Sequence, residues 1–274
     1  MSPAPRISQR GVPSAVSRVL HSGRVWTIQG VGTLVWLALA YACYRMGRAN
    51  GWRLAGAAIL AIFLAYLAPF LQRTALRVFR RERLDAARPG RRARKIRRRK
   101  FLEWFPGAAI VILLFAALVW VHGAIRNALP GALEHAANWL TRQLGRPFDF
   151  HALEARAISF EFVMAWFFFV LFWLPLAAAA LVGEGNLWRA AARAWRRLRY
   201  WLGTLACFVV GHLAFRHLAG WALRGKAIAG QPAGHLAGLA LGYAIALGAW
   251  LVILALVEED ISAAEPRSLD DTWD

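Results

Sequence analysis

Four ionisable side chains fall near the ends of long apolar stretches, at ends expected on the same side of a membrane. They are His122, His151, Glu161 and His212. Imidazoles together with a carboxylate can bind a divalent metal or move protons, and Glu161 could contact His122. The spacings match no ligand motif, so scattered interfacial histidines are the alternative interpretation, and we expect no metal or other cofactor.

The motifs of several enzyme and carrier classes are missing. The sequence contains no G-x-S-x-G, no H-E-x-x-H, no P-loop and no G-x-G-x-x-G. The interiors of the long apolar stretches also lack the acidic and basic residues on which proton-coupled carriers and intramembrane aspartyl proteases depend. These absences favour a protein without enzymatic activity.

A second set of functional candidates is basic. Residues 73–100 contain fourteen Lys or Arg against two acids, and residues 187–199 form another basic segment. We expect these segments to contact anionic lipid headgroups, at about 1 kcal/mol per basic residue, or an acidic protein partner. No aromatic residue lies within 80–100 to stack on bases, so no nucleic-acid partner is expected. The candidate contacts are Arg91, Arg92, Arg94, Lys95, Arg97, Arg98, Arg99, Lys100, Arg189, Arg193, Arg196 and Arg197.

Membrane-spanning helices must position these residues. Of 274 residues, 59% are hydrophobic, more than in an ordinary soluble domain, and a helical span needs roughly 20 predominantly apolar residues. The sequence therefore predicts an all-α, polytopic bundle. Its six spans are expected at about 27–44, 54–72, 104–121, 160–183, 200–221 and 236–257.

The distribution of basic residues predicts the orientation of this bundle. Twenty-four of the 34 Lys and Arg residues fall on one side if both termini are cytoplasmic, in agreement with the positive-inside rule. The basic tail 1–25, the basic loop 73–100 and the acidic tail 258–274 are then cytoplasmic, and the loop 122–159 is external. We expect a multi-pass protein of a bacterial cytoplasmic (inner) membrane.

Two amphipathic helices are predicted at the membrane surfaces. The first covers about residues 133–144 on the outer side, between Pro130 and Gly145. The second lies within 187–199 on the inner side, with Trp188, Ala192 and Trp195 on one stripe and arginines opposite. Helix-forming residues from 73 to 87 are expected to extend the second span beyond the bilayer.

The sequence names no biochemical activity, but it ranks three kinds of function. The leading hypothesis is a scaffold or accessory membrane subunit that interacts through its basic cytoplasmic surface. The alternative is a transporter or lipid-handling protein with an outward-facing cavity near His212, Thr204 or Tyr243, and the last is a headgroup enzyme using His122, His151 and Glu161.

Two further contacts are expected from the pattern of residues. The acidic tail could fold back onto the basic loop. Gly238 and Gly242 allow close helix approach, within the chain or in a homodimer.

Overall fold

The protein is an all-α bundle in a computed structural model that describes residues 12–46, 51–87, 105–145, 149–224 and 232–262; no strand occurs within these ranges. A short π-helix, Phe169–Trp173, joins α5 to α6. The helices are α1 (Val12–His21), α2 (Gly23–Met46), α3 (Gly51–Ala87), α4 (Phe105–Leu144), α5 (Phe150–Phe168), α6 (Leu174–Val182), α7 (Leu187–Trp195), α8 (Leu198–Arg224) and α9 (Pro232–Ile261).

Six helical segments of the described chain are long and apolar enough to cross a membrane, which confirms the predicted fold class. They are Gly23–Met46, Gly51–Arg83, Phe105–Leu144, Phe150–Val182, Leu198–Leu218 and Leu236–Ile261. Much of their surface is apolar and exposed, as expected for side chains that contact lipid rather than water.

The spans alternate in direction, so α1 and the last turn of α9 lie at the same end of the bundle. Ser22 donates to Glu82 Oε1 at 2.6 Å, and Arg18 donates to Glu259 Oε2 at 2.8 Å. We call this the arginine-rich end; it comprises α1, the first turn of α2, the last turns of α3 and α9, and residues 184–199, which include α7 and the first turn of α8. The other end carries the C-terminal half of α4 and the start of α5.

Small residues let α8 and α9 pack closely. A Cβ placed on Gly211 would lie 3.0 Å from the Cβ of Ala249, and one on Gly242 would lie 3.3 Å from the Cβ of Leu218. Gly238 and Gly242 are both buried within the single chain. The close approach predicted for these glycines is therefore used inside the bundle, and a homodimer through them stays a prediction.

The π-helix in the fourth span is explained by Pro175 and two side chains from elsewhere. Pro175 has no N–H, so it cannot donate to the carbonyl of Leu171 four residues earlier. The Tyr200 hydroxyl lies 2.8 Å from the carbonyl oxygen of Val170 and 3.0 Å from that of Leu171. Trp195 Nε1 donates to the same Leu171 carbonyl at 3.1 Å. In a bilayer the chain must satisfy such carbonyls itself.

Among the differences between the predicted and the observed helix boundaries, two concern the ends of the bundle. The separate outer helix at 133–144 is wrong, because α4 continues unbroken from Phe105 to Leu144 with Pro130 inside it. The carbonyl that Pro130 leaves unpaired belongs to Arg126, an exposed residue, where water can replace the lost donor. The last span also extends past residue 257, since α9 includes Glu258 to Ile261.

Candidate binding surface at the arginine-rich end

Three consecutive acids at the end of α9 are buried. Glu258, Glu259 and Asp260, which we call the acidic triad, are 0%, 5% and 0% exposed. Their position follows from the apolar face of α9, which packs Leu254 and Val257 into the core just before them. Buried carboxylates need cationic or hydrogen-bonding partners, and these come from four separate parts of the chain.

The N-terminal helix α1 and span α3 hold the first two acids. Arg18 donates to Glu259 at 2.8 Å and lies 3.7 Å from Glu258 Oε2. Arg83 Nη2 lies 3.2 Å from Glu258 Oε1, and Ser262 Oγ donates to the same oxygen at 3.1 Å. Arg83 and Glu258 thus connect the basic stretch 73–100 with the start of the acidic tail. The rest of the predicted fold-back, in 88–100 and 263–274, lies outside the described residues and stays a prediction.

The third acid is held by Arg197, between α7 and α8, and by Arg199, in the first turn of α8. Arg197 Nη1 lies 2.7 Å from Asp260 Oδ1. Arg199 donates to Asp260 Oδ1 through Nε at 3.0 Å and to Glu259 Oε1 through Nη1 at 3.1 Å, so one guanidinium links two acids. Buried ion pairs of this kind add little net stability, but removing one partner strongly destabilises the folded protein. The triad therefore fixes where α1, α7 and α8 dock on α9.

Glu184, between α6 and α7, is a second point of attachment for arginines. It lies 3.8 Å from Arg80 Nη1 and 3.4 Å from Arg193 Nη2. Arg193 also donates to the backbone carbonyl of Ile261. These contacts fasten α7 to the ends of α3 and α9.

Other arginines at this end remain on the surface. Arg24, Arg189 and Arg196 are exposed, and none of the three has an acidic partner in the part of the chain that the structure describes. The acidic triad is buried, whereas these three guanidinium groups are exposed. They therefore contribute positive charge to the surface of the arginine-rich end.

The structure divides the predicted lipid or partner contacts into three groups. Arg189 and Arg196 are exposed, whereas Arg193 and Arg197 pair with acids of the same chain. The eight candidates in 91–100 lie outside the described residues. Among the described members of the predicted set, the exposed pair is therefore the one available to an external ligand.

Helix α7 packs on the bundle through a face of small residues. Asn186 caps its start by accepting a hydrogen bond from the N–H of Arg189 at 2.9 Å. Ala190, Ala191 and Ala194 are fully buried, and Trp188 is 69% exposed. The small alanine face packs on the bundle, and the indole of Trp188 stays exposed. The predicted amphipathic helix is confirmed, and docking of its Trp stripe on anionic lipid stays a prediction.

The histidine candidates lie apart from this surface. His122 Nδ1 contacts Glu161 Oε1 between α4 and α5, as the sequence suggested. His151 is exposed and lies 3.8 Å from Glu154, and His212 stacks on Phe208 with ring centroids 6.0 Å apart. Within the described ranges no three His, Cys, Asp or Glu side chains form a group that could hold a metal ion.

The residues named for an outward-facing cavity have separate environments. Thr204 is fully buried, and the Tyr243 hydroxyl donates to the backbone carbonyl of Gly30 at 3.0 Å. His212 is half-buried beside Phe208. A transport pathway through them stays a prediction.

Sequence reasoning missed the burial of the acidic triad. The only available signal was that the apolar run of the last span leads directly into Glu258 without a turn or a Gly or Pro residue, which places the acids on the same helix as the core residues.

No protein-family model, no curated protein and no solved structure matches this chain. Function is therefore inferred from the arrangement of charged and aromatic groups described above.

Proposed function

We propose that this chain is a non-enzymatic scaffold or accessory subunit of a bacterial cytoplasmic membrane. It binds anionic lipid headgroups or an acidic protein partner through the arginine-rich end, which faces the cytoplasm. The positive-inside rule supports this orientation, because residues 73–100, which begin in the last turns of α3, contain fourteen Lys or Arg.

The observation that carries the proposal is the contrast between buried acids and exposed arginines. The acidic triad is enclosed by Arg18, Arg83, Arg197 and Arg199, so it does not neutralise the outer surface. Arg24, Arg189 and Arg196 remain available. At about 1 kcal/mol per basic residue near an anionic surface, three such groups strengthen binding by roughly two orders of magnitude.

The proposal is tested by purifying the full-length chain from native membranes and quantifying the anionic phospholipid and protein that stay bound. The test variant replaces Arg24, Arg189 and Arg196 by Gln. The matched control replaces Arg126, Arg142 and Arg156 by Gln, since these three arginines are also exposed and lie toward the opposite end.

We expect the control to retain what the natural chain retains, and the test variant to lose it. Retention should also fall as salt is raised from about 0.1 M to 1 M, because the screening length falls from about 10 Å to about 3 Å. A test variant that keeps every association of the natural chain would refute the proposal.

A further inference from the structure

A row of aromatic rings leads from the lipid-facing surface of the fourth span to helix α7. Phe168 stacks on Phe172 with centroids 5.8 Å apart, Phe172 lies 6.5 Å from Trp195, and Trp195 lies 6.2 Å from Trp188. We call these four residues the aromatic ladder. Trp201 adds a ring 5.6 Å from Phe172.

Three of the four ladder residues are open to their surroundings, and Trp195 is half-buried. Phe168, Phe172 and Trp188 are 50%, 41% and 69% exposed. Phe168 and Phe172 belong to the fourth span and stack one helical turn apart. An acyl chain can therefore lie on these two exposed rings.

The indole of Trp188 differs from the other described indoles at this end. Trp26, Trp195, Trp201 and Trp250 each donate their N–H within the chain, to the carbonyls of Val19, Leu171 and Trp195 and to Gln72 Oε1. Trp188 Nε1 has no acceptor among the residues that the structure describes. An indole N–H at the membrane boundary is suited to donate to a headgroup oxygen.

Two exposed arginines are adjacent in sequence to the two Trp residues of the aromatic ladder. Arg189 directly follows Trp188, and Arg196 directly follows Trp195. Consecutive Cα atoms are about 3.8 Å apart, so the backbone of each arginine lies at the same depth as a Trp that belongs at headgroup level. Arginine donors match the oxygens of a phosphate.

We propose that the aromatic ladder, Arg189 and Arg196 form a binding site for one anionic phospholipid. An acyl chain lies on Phe168 and Phe172, the headgroup phosphate lies between the two guanidinium groups, and Trp188 Nε1 donates to a headgroup oxygen. The inference rests on the proposed function, since it names a ligand of the same positive surface, but it adds a defined site and a 1:1 stoichiometry.

The experiment measures lipid binding to the full-length, lipid-depleted chain in detergent by native mass spectrometry. The probes are phosphatidylglycerol and phosphatidylcholine with identical acyl chains. The natural chain should bind one phosphatidylglycerol about thirty-fold more tightly than phosphatidylcholine, the preference expected from two arginines at about 1 kcal/mol each.

Three variants separate the parts of the site. R189Q/R196Q should bring phosphatidylglycerol to the level of phosphatidylcholine. F172A/W188A should abolish the tight 1:1 complex, and W188F should weaken phosphatidylglycerol binding roughly two- to ten-fold, the effect of one hydrogen bond. The control W120A/W139A removes two exposed indoles of α4 and should bind like the natural chain.

The outcomes distinguish this inference from the proposed function. If R189Q/R196Q loses the lipid preference while F172A/W188A and W188F bind like the natural chain, the ladder is not the site, and the positive surface still binds anionic groups. If R189Q/R196Q keeps the preference for phosphatidylglycerol, the inference fails. Arg189 and Arg196 then no longer support the proposed function. If the natural chain binds both lipids equally, only non-selective lipid contact remains and the inference is overturned. Equal circular dichroism spectra and elution volumes establish that the variants are folded.

Discussion

Arg197 Nη1 lies 2.7 Å from Asp260 Oδ1, although the two residues are 63 positions apart in the chain. Asp260 is completely buried on the last turn of α9, and Arg197 lies between α7 and α8. Arg18 reaches Glu259 across 241 positions. The arginine-rich end is therefore assembled by charges from distant parts of the chain, which leaves its acids inside.

Removing the carboxylate of Asp260 should strongly destabilise the protein. Asp260→Ala leaves Arg197 without its acid and deprives Arg199 of one of its two, and breaking a buried ion pair in this way costs about 3–5 kcal/mol. The measurement is the free energy of unfolding in detergent micelles as SDS is added. Glu134→Ala, an exposed acid of α4, should change that free energy by less than about 0.5 kcal/mol.

A double-mutant cycle shows whether this cost belongs to the ion pair. Arg197→Ala/Asp260→Ala should lose less stability than the sum of the two single variants, by about 0.5–3 kcal/mol. Strict additivity of the two single effects would show that Arg197 and Asp260 do not interact in the folded protein.

Replacing Tyr200 by Phe should destabilise the fourth span. The substitution keeps the ring but leaves the Val170 carbonyl without the hydroxyl 2.8 Å away, and an unpaired buried acceptor costs about 1–3 kcal/mol. The Leu171 carbonyl retains Trp195 as its donor. The same SDS titration measures the loss, and Tyr44→Phe, at a residue that is 83% exposed, is the matched control. Equal stability of the two variants would contradict the role given to Tyr200.

Gly107 should tolerate no side chain where α4 meets α6. A Cβ at this position would lie 2.4 Å from the carbonyl oxygen of Ala180, so Gly107→Ala must push the two helices apart, at about 1–3 kcal/mol. Gly123→Ala in the same helix meets no atom within 4 Å and should keep or slightly raise thermal stability, because Ala favours a helix over Gly. If both variants unfold at the same temperature as the natural chain, the close contact of α4 and α6 is wrong.

His122 and Glu161 should be energetically coupled. Glu161 is mostly buried and contacts His122 between α4 and α5. A double-mutant cycle of H122A and E161A should therefore give a coupling energy of about 0.5–3 kcal/mol in the free energy of unfolding. H151A/E154A provides the comparison, since that pair is 3.8 Å apart and His151 is exposed. A coupling no larger than in the comparison pair would remove His122 and Glu161 as a structural pair.

The spans were predictable from the sequence because their signal is local. Each uncharged apolar stretch must be long enough to cross the bilayer, and that length can be read without knowing any contact. The extension of α3 to Ala87 followed from helix-forming residues in the same way. Local patterns also placed α7 and its amphipathic character.

The features that sequence reasoning missed depend on contacts between distant residues. Burial of Glu258 requires Arg18 and Arg83, and the π-helix before Pro175 requires Tyr200 and Trp195. Neither partner set is visible in the neighbouring sequence. The pairing of His122 with Glu161 could be anticipated, because both residues were expected at the same boundary of neighbouring spans.

The most direct test of the account is the side of the membrane on which the exposed arginines lie. Cys43 and Cys207, both unpaired, are first replaced by Ser, and single cysteines are then introduced as Arg196→Cys and Arg142→Cys. Intact cells are treated with a maleimide that cannot cross the membrane. We predict that Arg142→Cys is labelled in intact cells and Arg196→Cys only after the membrane is opened. Labelling of Arg196→Cys in intact cells would contradict the cytoplasmic placement of the arginine-rich end.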